Sequence, residues 1–142
     1  MANTQIKAVR DALATVLTDA GHTVFKYGAD PAHTGRTFVV FDSPIRAEQE
    51  PLTFGNNRVE LVTVDLLIFN KAGGRSDTNA AAAETTLEGI VGDIEDDLRG
   101  DITVGGVVFN AEPSSSLETE VMADEDGWVF MARMTVDVEA HI

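Results

Sequence analysis

Two amphipathic helical segments and several strands of alternating polarity predict an α+β fold. The expected architecture is a mainly antiparallel or mixed sheet of about five strands, with two helices packed on one face and a minor β-hairpin. The central observation is a long strand that leads, through a short glycine-bearing turn, into the longest helix. Because both have an apolar side, the helix is expected to lie across the sheet. A chain of 142 residues without a shift in composition predicts a single domain over residues 1–142.

The N-terminal third predicts a helix followed by two strands. Asn3 or Thr4 is suited to cap the helix, and Gly21 to end it. A short strand is expected at 22–27 and a second at 37–41, with a turn-rich connection between them. The apolar residues of the helix recur at helical spacing: Ile6, Val9, Leu13, Val16 and Leu17.

The segment 42–57 is a sixteen-residue connection between two predicted strands, and connections of this length are often functional. Three interpretations are open. The flanking strands extend into a long hairpin, the apolar residues fold onto the core, or the segment is a protruding arm that becomes ordered against a partner. It contains two prolines and three large apolar residues: Pro44, Pro51, Ile45, Leu52 and Phe54.

The strand at 58–69 has one apolar face and one mixed face, which predicts an interior strand. The helix that follows is expected to be capped by Asp77 or Thr78 and to run to about Arg99, with Gly100 at its C-terminal end. Its apolar residues form one stripe: Ala83, Leu87, Ile90, Val91, Ile94 and Leu98.

The C-terminal part predicts two hairpins. The minor hairpin is expected at 102–109, turning at the Gly105–Gly106 pair, and a polar linker at 110–116. The second hairpin is expected to join 117–123 to 128–140, whose clean alternation predicts a half-buried strand. Its polar face is expected to place Arg133 opposite Asp65.

The formal net charge of −14 argues against a protein that grips nucleic acid, because phosphate contacts need clustered lysine and arginine. The acidity is explained by solubility alone, by a high-GC genome or by a high-salt cytoplasm. The chain has no cysteine, which excludes disulfides and thiol catalysis. With no signal peptide and no membrane-spanning run, it is expected to be a soluble protein made in the cytoplasm.

No constellation of residues predicts an enzyme, a cofactor or a metal site. Four carboxylates crowd the end of the second helix, where a solvated acidic face is favoured over a divalent-cation site. The segment 124–127 begins like a calcium loop but lacks the closing glutamate. The three histidines share no metal-ligand spacing and are interpreted as incidental. The four carboxylates are Asp93, Glu95, Asp96 and Asp97, and the three histidines are His22, His33 and His141.

In the order and phrasing of these elements, the chain resembles the tail terminator (tail-completion) proteins of long-tailed, siphovirus-like viruses of bacteria and archaea. The resemblance covers most of the chain. It rests on the opening amphipathic helix, the strand at 58–69, the helix closing with Asp97-Leu-Arg-Gly-Asp101, the Thr103-Val-Gly-Gly-Val107 motif and the alternating C-terminal strand.

The resemblance implies a non-enzymatic virion protein that forms a ring, generally hexameric, at the head-proximal end of the tail. Such a ring stops polymerisation of the tail tube and joins the tail to the head connector. The implied partners are therefore further copies of the chain, the tail tube protein and the head–tail connector protein, with the genome passing through the lumen. A negative wall suits such passage, because a polyanion does not adhere to it.

On this resemblance the long connection matches the partner-contacting arm of the family. Two alternatives are open: a neighbouring head–tail connector or minor tail protein, and a small ligand-binding or hydrolytic α+β domain, which a deep pocket with convergent polar groups would favour. The residues assigned to partner and oligomer contacts are Pro44, Ile45, Leu52 and Phe54.

Overall fold

The computed structural model describes residues 6–28, 37–42, 44–51, 58–72, 76–100, 110–124 and 127–141. Within these ranges the chain forms two helices and six strands. The elements in chain order are α1 (Ile6–Asp19), β1 (Val24–Phe25), β2 (Thr37–Phe41), β3 (Arg46–Pro51), β4 (Arg58–Lys71), α2 (Asp77–Gly100), β5 (Asn110–Asp124) and β6 (Gly127–His141).

All six strands belong to one mixed sheet, ordered β1-β2-β4-β6-β5, with β3 beside β4. Among the described strands, the β1–β2 pair is parallel and the other pairs are antiparallel. The longest pairing joins β4 to β6, from the Val59–His141 pair to the Lys71–Val129 pair. The predicted α+β architecture is thus confirmed, although β1 is shorter than the predicted strand at 22–27.

The core lies between the sheet and the two helices. Alternate residues of β4 and β6 are almost fully buried on one face and pack against the apolar stripes of α1 and α2. These stripes were predicted from helical spacing and are confirmed, with Ile6, Val16 and Ile90 half-buried at their margins. The buried apolar residues of β4 and β6 on this face are Val62, Val64, Leu66, Ile68, Phe130, Ala132, Met134, Val136 and Val138.

The long connection contains a strand, because β3 pairs with the first half of β4. The same side of β4 pairs with β2 further along, so β2 and β3 lie on one side of β4 and the pairing is interrupted between Phe41 and Arg46. The interpretation of the flanking strands as a long hairpin is therefore correct for the described residues. The polar sequence of β3, with only one apolar residue besides its proline, concealed this strand.

The ends of the helices follow local hydrogen bonding. Gly21 adopts a φ of 100°, and its N–H and that of His22 donate to the carbonyl oxygens of Thr18 and Leu17 at 3.0 Å, as at a glycine-terminated helix. The predicted cap of α2 was wrong by one residue. The Ser76 hydroxyl accepts from the Asn79 N–H at 3.1 Å, so Ser76 is the N-cap.

The polar linker predicted at 110–116 was also wrong, because those residues begin β5. The pairing of β5 with β6 shifts between Pro113 and Leu117. Proline and an irregular register are tolerated on a strand that has a neighbour on one side only. The predicted helix caps Asn3 and Thr4 and the minor hairpin at 102–109 lie outside the described residues.

Candidate assembly surfaces

The residues expected to contact partners lie at the interruption between β2 and β3 and beyond the end of β3. Pro44 is exposed, whereas Ile45 is half-buried and packs against the core. Leu52 and Phe54 lie outside the described residues. The structure therefore brings Pro44 and Ile45 together at the sheet margin, and their role in partner contact stays a prediction.

The face of the sheet away from the helices, here called the outer sheet face, is apolar at one end. The rings of Phe38 and Phe69 stack with centroids 4.9 Å apart, and Phe25 meets Phe38 edge-on at 5.9 Å. The Lys71 ammonium lies 6.0 Å from the centroid of the Phe38 ring. This aromatic cluster fixes β1 to β2 and β4 from the side opposite to the helices.

An ion-pair network occupies the middle of the outer sheet face. One guanidinium nitrogen of Arg133 donates to Asp42 at 2.7 Å and to Asp65 at 3.3 Å. The hydrogen bond from Arg133 to Asp42 is the main reason why the pKa of Arg133 is raised. The prediction that Arg133 lies opposite Asp65 was wrong in register, because the residue opposite Asp65 is Thr135, which donates to it at 2.8 Å, and Arg133 reaches Asp65 from the position opposite Leu67.

The opposite end of the outer sheet face forms an open groove of about 670 Å³ across four strands. Its polar lining is predominantly acidic, and the Thr63 hydroxyl lies 3.4 Å from an Asp137 carboxylate oxygen. The groove is lined by Arg46, Ala47, Glu48, Leu61, Val62, Thr63, Glu112, Asp137, Val138 and Glu139.

A basic patch lies beside β1, where α1 meets the end of that strand; it consists of Lys7, Arg10, Lys26 and Tyr27. Lys7 and Lys26 bind the two carboxylate oxygens of Asp11 at 2.6 and 3.2 Å. These hydrogen bonds, the one from Lys7 first, lower the pKa of Asp11, and the same contact raises the pKa of Lys7. The guanidinium carbon of Arg10 lies 4.8 Å from the centroid of the Tyr27 ring, in a cation–π contact.

A pocket of about 130 Å³ opens beside this basic patch, a size that suits a single side chain. The Nε atom of Arg10 is buried there without a hydrogen-bond partner among the described residues. The pocket also reaches the interruption between β2 and β3 through Ile45. Its lining residues are Arg10, Lys26, Tyr27, Phe41, Asp42 and Ile45.

The other side of the sheet ends at β5, which pairs only with β6 among the described strands. Its second half, here called the acidic edge, consists of Glu118, Glu120, Val121 and Met122. All four side chains are exposed. Glu118, Glu120 and Met122 share the outer sheet face by register, and Val121 points to the helix side.

The carboxylates at the end of α2 have two cationic or polar neighbours. Glu95 lies 3.6 Å from Arg99, and an Asp97 oxygen lies 3.0 Å from Nε2 of His22. The interpretation of His22 as incidental was therefore wrong, because it connects the α1–β1 turn to α2. Within the described ranges, no group of three or more histidine and acidic side chains is arranged to hold a metal ion, and neither helix is long and apolar enough to cross a membrane.

Comparison with known proteins gives a match at the level of fold. No protein-family model matches the chain, and a search of curated proteins gives no match either. Among solved structures, the chain is similar to one from the virion of a native gene transfer agent (GTA) particle. The superposition covers 99% of this chain and 100% of that one, with a TM-score of 0.52 and 10% sequence identity. The whole chain therefore has the fold of a chain found in that particle.

Proposed function

We propose that the protein is a structural component of a virus-like particle, and that it forms a ring that closes the head-proximal end of the tail tube. In this role it stops polymerisation of the tube and joins the tail to the head connector. Assembly takes place in the host cytoplasm, and the protein remains in the virion.

The observation that carries the proposal is the end-to-end similarity to a chain of the GTA virion. Coverage of nearly the whole of both chains means that the shared fold is not a local motif. The resemblance of the sequence to tail terminator proteins supports the finer assignment to the tail, because it rests on the residues of this chain and not on that structure. Together they favour an assembly role over catalysis.

Charge and surface both suit a ring around DNA. A net charge of −14 keeps a polyanion from adhering to the inner wall of a channel. The interruption between β2 and β3 places exposed Pro44 at the sheet margin, and the segment that carries Leu52 and Phe54 follows β3. These residues are proposed to contact the tail tube or the neighbouring subunit.

The test mixes the purified protein with tail tubes that have been polymerised from the tube protein of the same genome. Negative-stain electron microscopy is expected to show a cap at one end of each tube, and added protein is expected to limit tube length during polymerisation. Tubes that stay uncapped and grow to unchanged length would exclude the tail terminator role. Binding only to isolated connector rings would indicate the neighbouring connector instead.

The contact residues have their own control in the same assay. The double variant Leu52→Asp/Phe54→Asp is expected to lose capping, and Pro44→Asp/Ile45→Asp is expected to reduce it. Glu84→Gln/Glu88→Gln on the exposed side of α2 is the matched control and is expected to cap normally. Equal capping by all variants would show that this segment does not contact the tube.

One observation favours a second function, the binding of a small cationic ligand. The groove at the acidic end of the outer sheet face draws polar groups from four strands into one place. A protein whose only role is ligand binding is expected to remain monomeric in the presence of tubes and to gain thermal stability on addition of a polyamine such as spermidine.

A further inference from the structure

Three large apolar side chains are exposed among the described residues, and they lie at opposite sides of the sheet. Tyr27 is 71% exposed and follows β1, whereas Val121 and Met122 are 52% and 39% exposed on β5. In the strand order β1-β2-β4-β6-β5, these are the two outermost strands. Four inter-strand spacings of about 4.8 Å separate them by roughly 19 Å.

The side of the sheet at β1 is positively charged, although acidic residues outnumber basic ones in the chain as a whole. The whole chain has ten lysines and arginines, and three of them lie in the basic patch around Tyr27. Lys7 and Lys26 share one carboxylate, that of Asp11, while the guanidinium of Arg10 stacks on Tyr27. The patch therefore keeps a net charge of +2 from three cations and one carboxylate, in a protein whose overall charge is −14.

The side of the sheet at β5 has the complementary character. Glu118 and Glu120 are exposed beside the apolar Val121 and Met122. No lysine or arginine lies in β5. The acidic edge therefore offers two carboxylates and two apolar side chains, whereas the basic patch offers cations, one aromatic ring and a pocket that suits one side chain.

We infer that the basic patch of one copy binds the acidic edge of a second copy, so that subunits join head to tail through opposite sides of their sheets. Val121 or Met122 of one copy packs on Tyr27 and the adjacent pocket of the next, while Glu118 and Glu120 bind Lys26 and Lys7. This interface rests on the proposed ring and gives it specific residues.

The physical argument for a second copy is that the two surfaces are complementary and belong to the same chain. A contact between two different surfaces of one chain is heterologous, and it generates a closed ring when the rotation per subunit closes. The patch binds through an aromatic residue and an arginine, the residue types enriched at the energetic centre of protein interfaces. Charge complementarity sets the pairing, because patch against patch and edge against edge both repel.

The first test uses cysteine pairs, which report contacts cleanly because the chain contains no cysteine of its own. The double variant Tyr27→Cys/Met122→Cys is oxidised mildly in 1 M KCl, with and without tail tubes. A disulfide requires Cα atoms within about 7 Å, so the two positions of one folded copy cannot be joined. A ladder of disulfide-linked oligomers on a non-reducing gel is therefore expected.

The controls separate this contact from random collision. An equimolar mixture of Tyr27→Cys and Met122→Cys chains is expected to give mixed disulfide-linked dimers. Each single variant alone is expected to give few disulfide-linked dimers. The pair Tyr27→Cys/Glu88→Cys, with Glu88 on the exposed side of α2, is expected to give no ladder. Equal linking of the control pair, or efficient self-linking of Tyr27→Cys alone, would overturn the inference.

The second test reverses charges and measures self-association by analytical ultracentrifugation. Lys26→Glu and Glu120→Lys are each expected to weaken association about 3- to 10-fold, and their combination is expected to restore most of it. General repulsion predicts otherwise for Glu120→Lys, because this change reduces the net charge of −14 by two. Tighter association of Glu120→Lys would therefore contradict the interface.

Arg99→Glu is the matched control for Lys26→Glu. Both are exposed cations in an ion pair with a carboxylate of their own chain, but Arg99 lies on α2 and belongs to neither surface. Arg99→Glu is expected to associate like the wild type after allowance for charge.

Tubes that are capped by a protein whose cysteine pair does not link would overturn this interface and leave the tail role standing. Linked oligomers that do not cap tubes would support the interface and overturn the tail role. A wild type that stays monomeric with and without tubes would overturn the interface.

Discussion

At the scale of single residues, Asn70 is the buried amide that fixes the central strand to the long helix. Its Nδ2 donates to the carbonyl oxygen of Ala83 at 2.8 Å, and its Oδ1 accepts from the Thr37 hydroxyl at 2.9 Å. One side chain therefore connects β2, β4 and α2. Asn70 continues the apolar alternation of β4 from Val62 to Ile68 at one end of the buried face, so that its burial there depends on both hydrogen bonds.

Asn70→Asp is expected to destabilise the fold strongly, because it places a carboxylate against the Ala83 carbonyl oxygen in a buried site. Asn70→Leu loses both hydrogen bonds without adding charge and is expected to cost roughly 1–3 kcal/mol. Urea denaturation measures both. Asn79→Asp makes the same chemical change at the exposed N-terminus of α2 and is expected to leave stability nearly unchanged or raised. Equal costs at positions 70 and 79 would contradict the role of Asn70.

Arg133 holds the interruption between β2 and β3 to the rest of the sheet through Asp42 and Asp65. Arg133→Met is expected to cost roughly 1 kcal/mol, a small value because these side chains are about one-third exposed and solvent screens the pairs. Arg133→Lys is expected to retain only part of the stability that Arg133→Met loses, since an ammonium cannot reproduce the guanidinium geometry. The raised pKa of Arg133 means that its contribution is complete at pH 7 and pH 9 and is lost as the pH rises above the ordinary arginine value. Denaturation midpoints at pH 7 and pH 9 should therefore show the same difference between Arg133→Met and wild type.

At the scale of elements, α2 is capped by Ser76, one residue before the first cap position that the sequence pattern predicted. Ser76→Ala removes the hydroxyl that accepts from the Asn79 N–H and is expected to cost about 0.5–2 kcal/mol. Ser76→Asp keeps an acceptor and adds a favourable charge at the helix N-terminus, so that it is expected to retain stability. Thermal unfolding measures the difference. A larger cost for Thr78→Ala than for Ser76→Ala would return the cap to its predicted position.

The elements with strong local periodicity were predictable, and those defined by pairing alone were not. The stripe of α2 and the alternation of β6 are repeated many times, so a single sequence reveals them. β3 and the first half of β5 are polar and contain proline, and they become strands only because a long apolar strand lies beside them. Of the surfaces, the contact between Arg133 and Asp65 followed from two predicted faces. The basic patch and the His22–Asp97 contact join distant segments that no spacing relates.

At the scale of the whole molecule, the net charge of −14 opposes compact folding through self-repulsion. The C-terminal part of α2 concentrates it, with Asp93 and Asp96 exposed where the helix dipole also disfavours negative charge. The melting temperature is therefore expected to rise with KCl, because the Debye length shrinks from about 10 Å at 0.1 M to about 3 Å at 1 M. Differential scanning calorimetry in KCl and in sulfate at equal ionic strength separates screening from salt exclusion.

Two matched variants test the charge effect at opposite ends of α2, where removal of a carboxylate is expected to change the melting temperature in opposite directions. Asp96→Asn is expected to raise the melting temperature at low salt, and Asp77→Asn at the N-terminal end is expected to lower it. Both differences should shrink in 1 M KCl. A melting temperature that is flat or falling in KCl would show that repulsion does not limit stability, and would count against an origin in a high-salt cytoplasm.

The interruption between β2 and β3 separates two strands that share β4 but are held differently. β2 lies between β1 and β4 and contributes Val39 and Phe41 to the core, whereas β3 pairs only with β4 among the described strands. In terms of hydrogen exchange, the amides of β3 are expected to open without breaking the pairing of β2, at a free energy below that of global unfolding. In the proposed assembly, a segment that detaches while the core stays intact is expected to change its pairing partner when it meets a neighbouring subunit or a tail tube. The interruption is therefore expected to confine conformational exchange to the margin of the sheet.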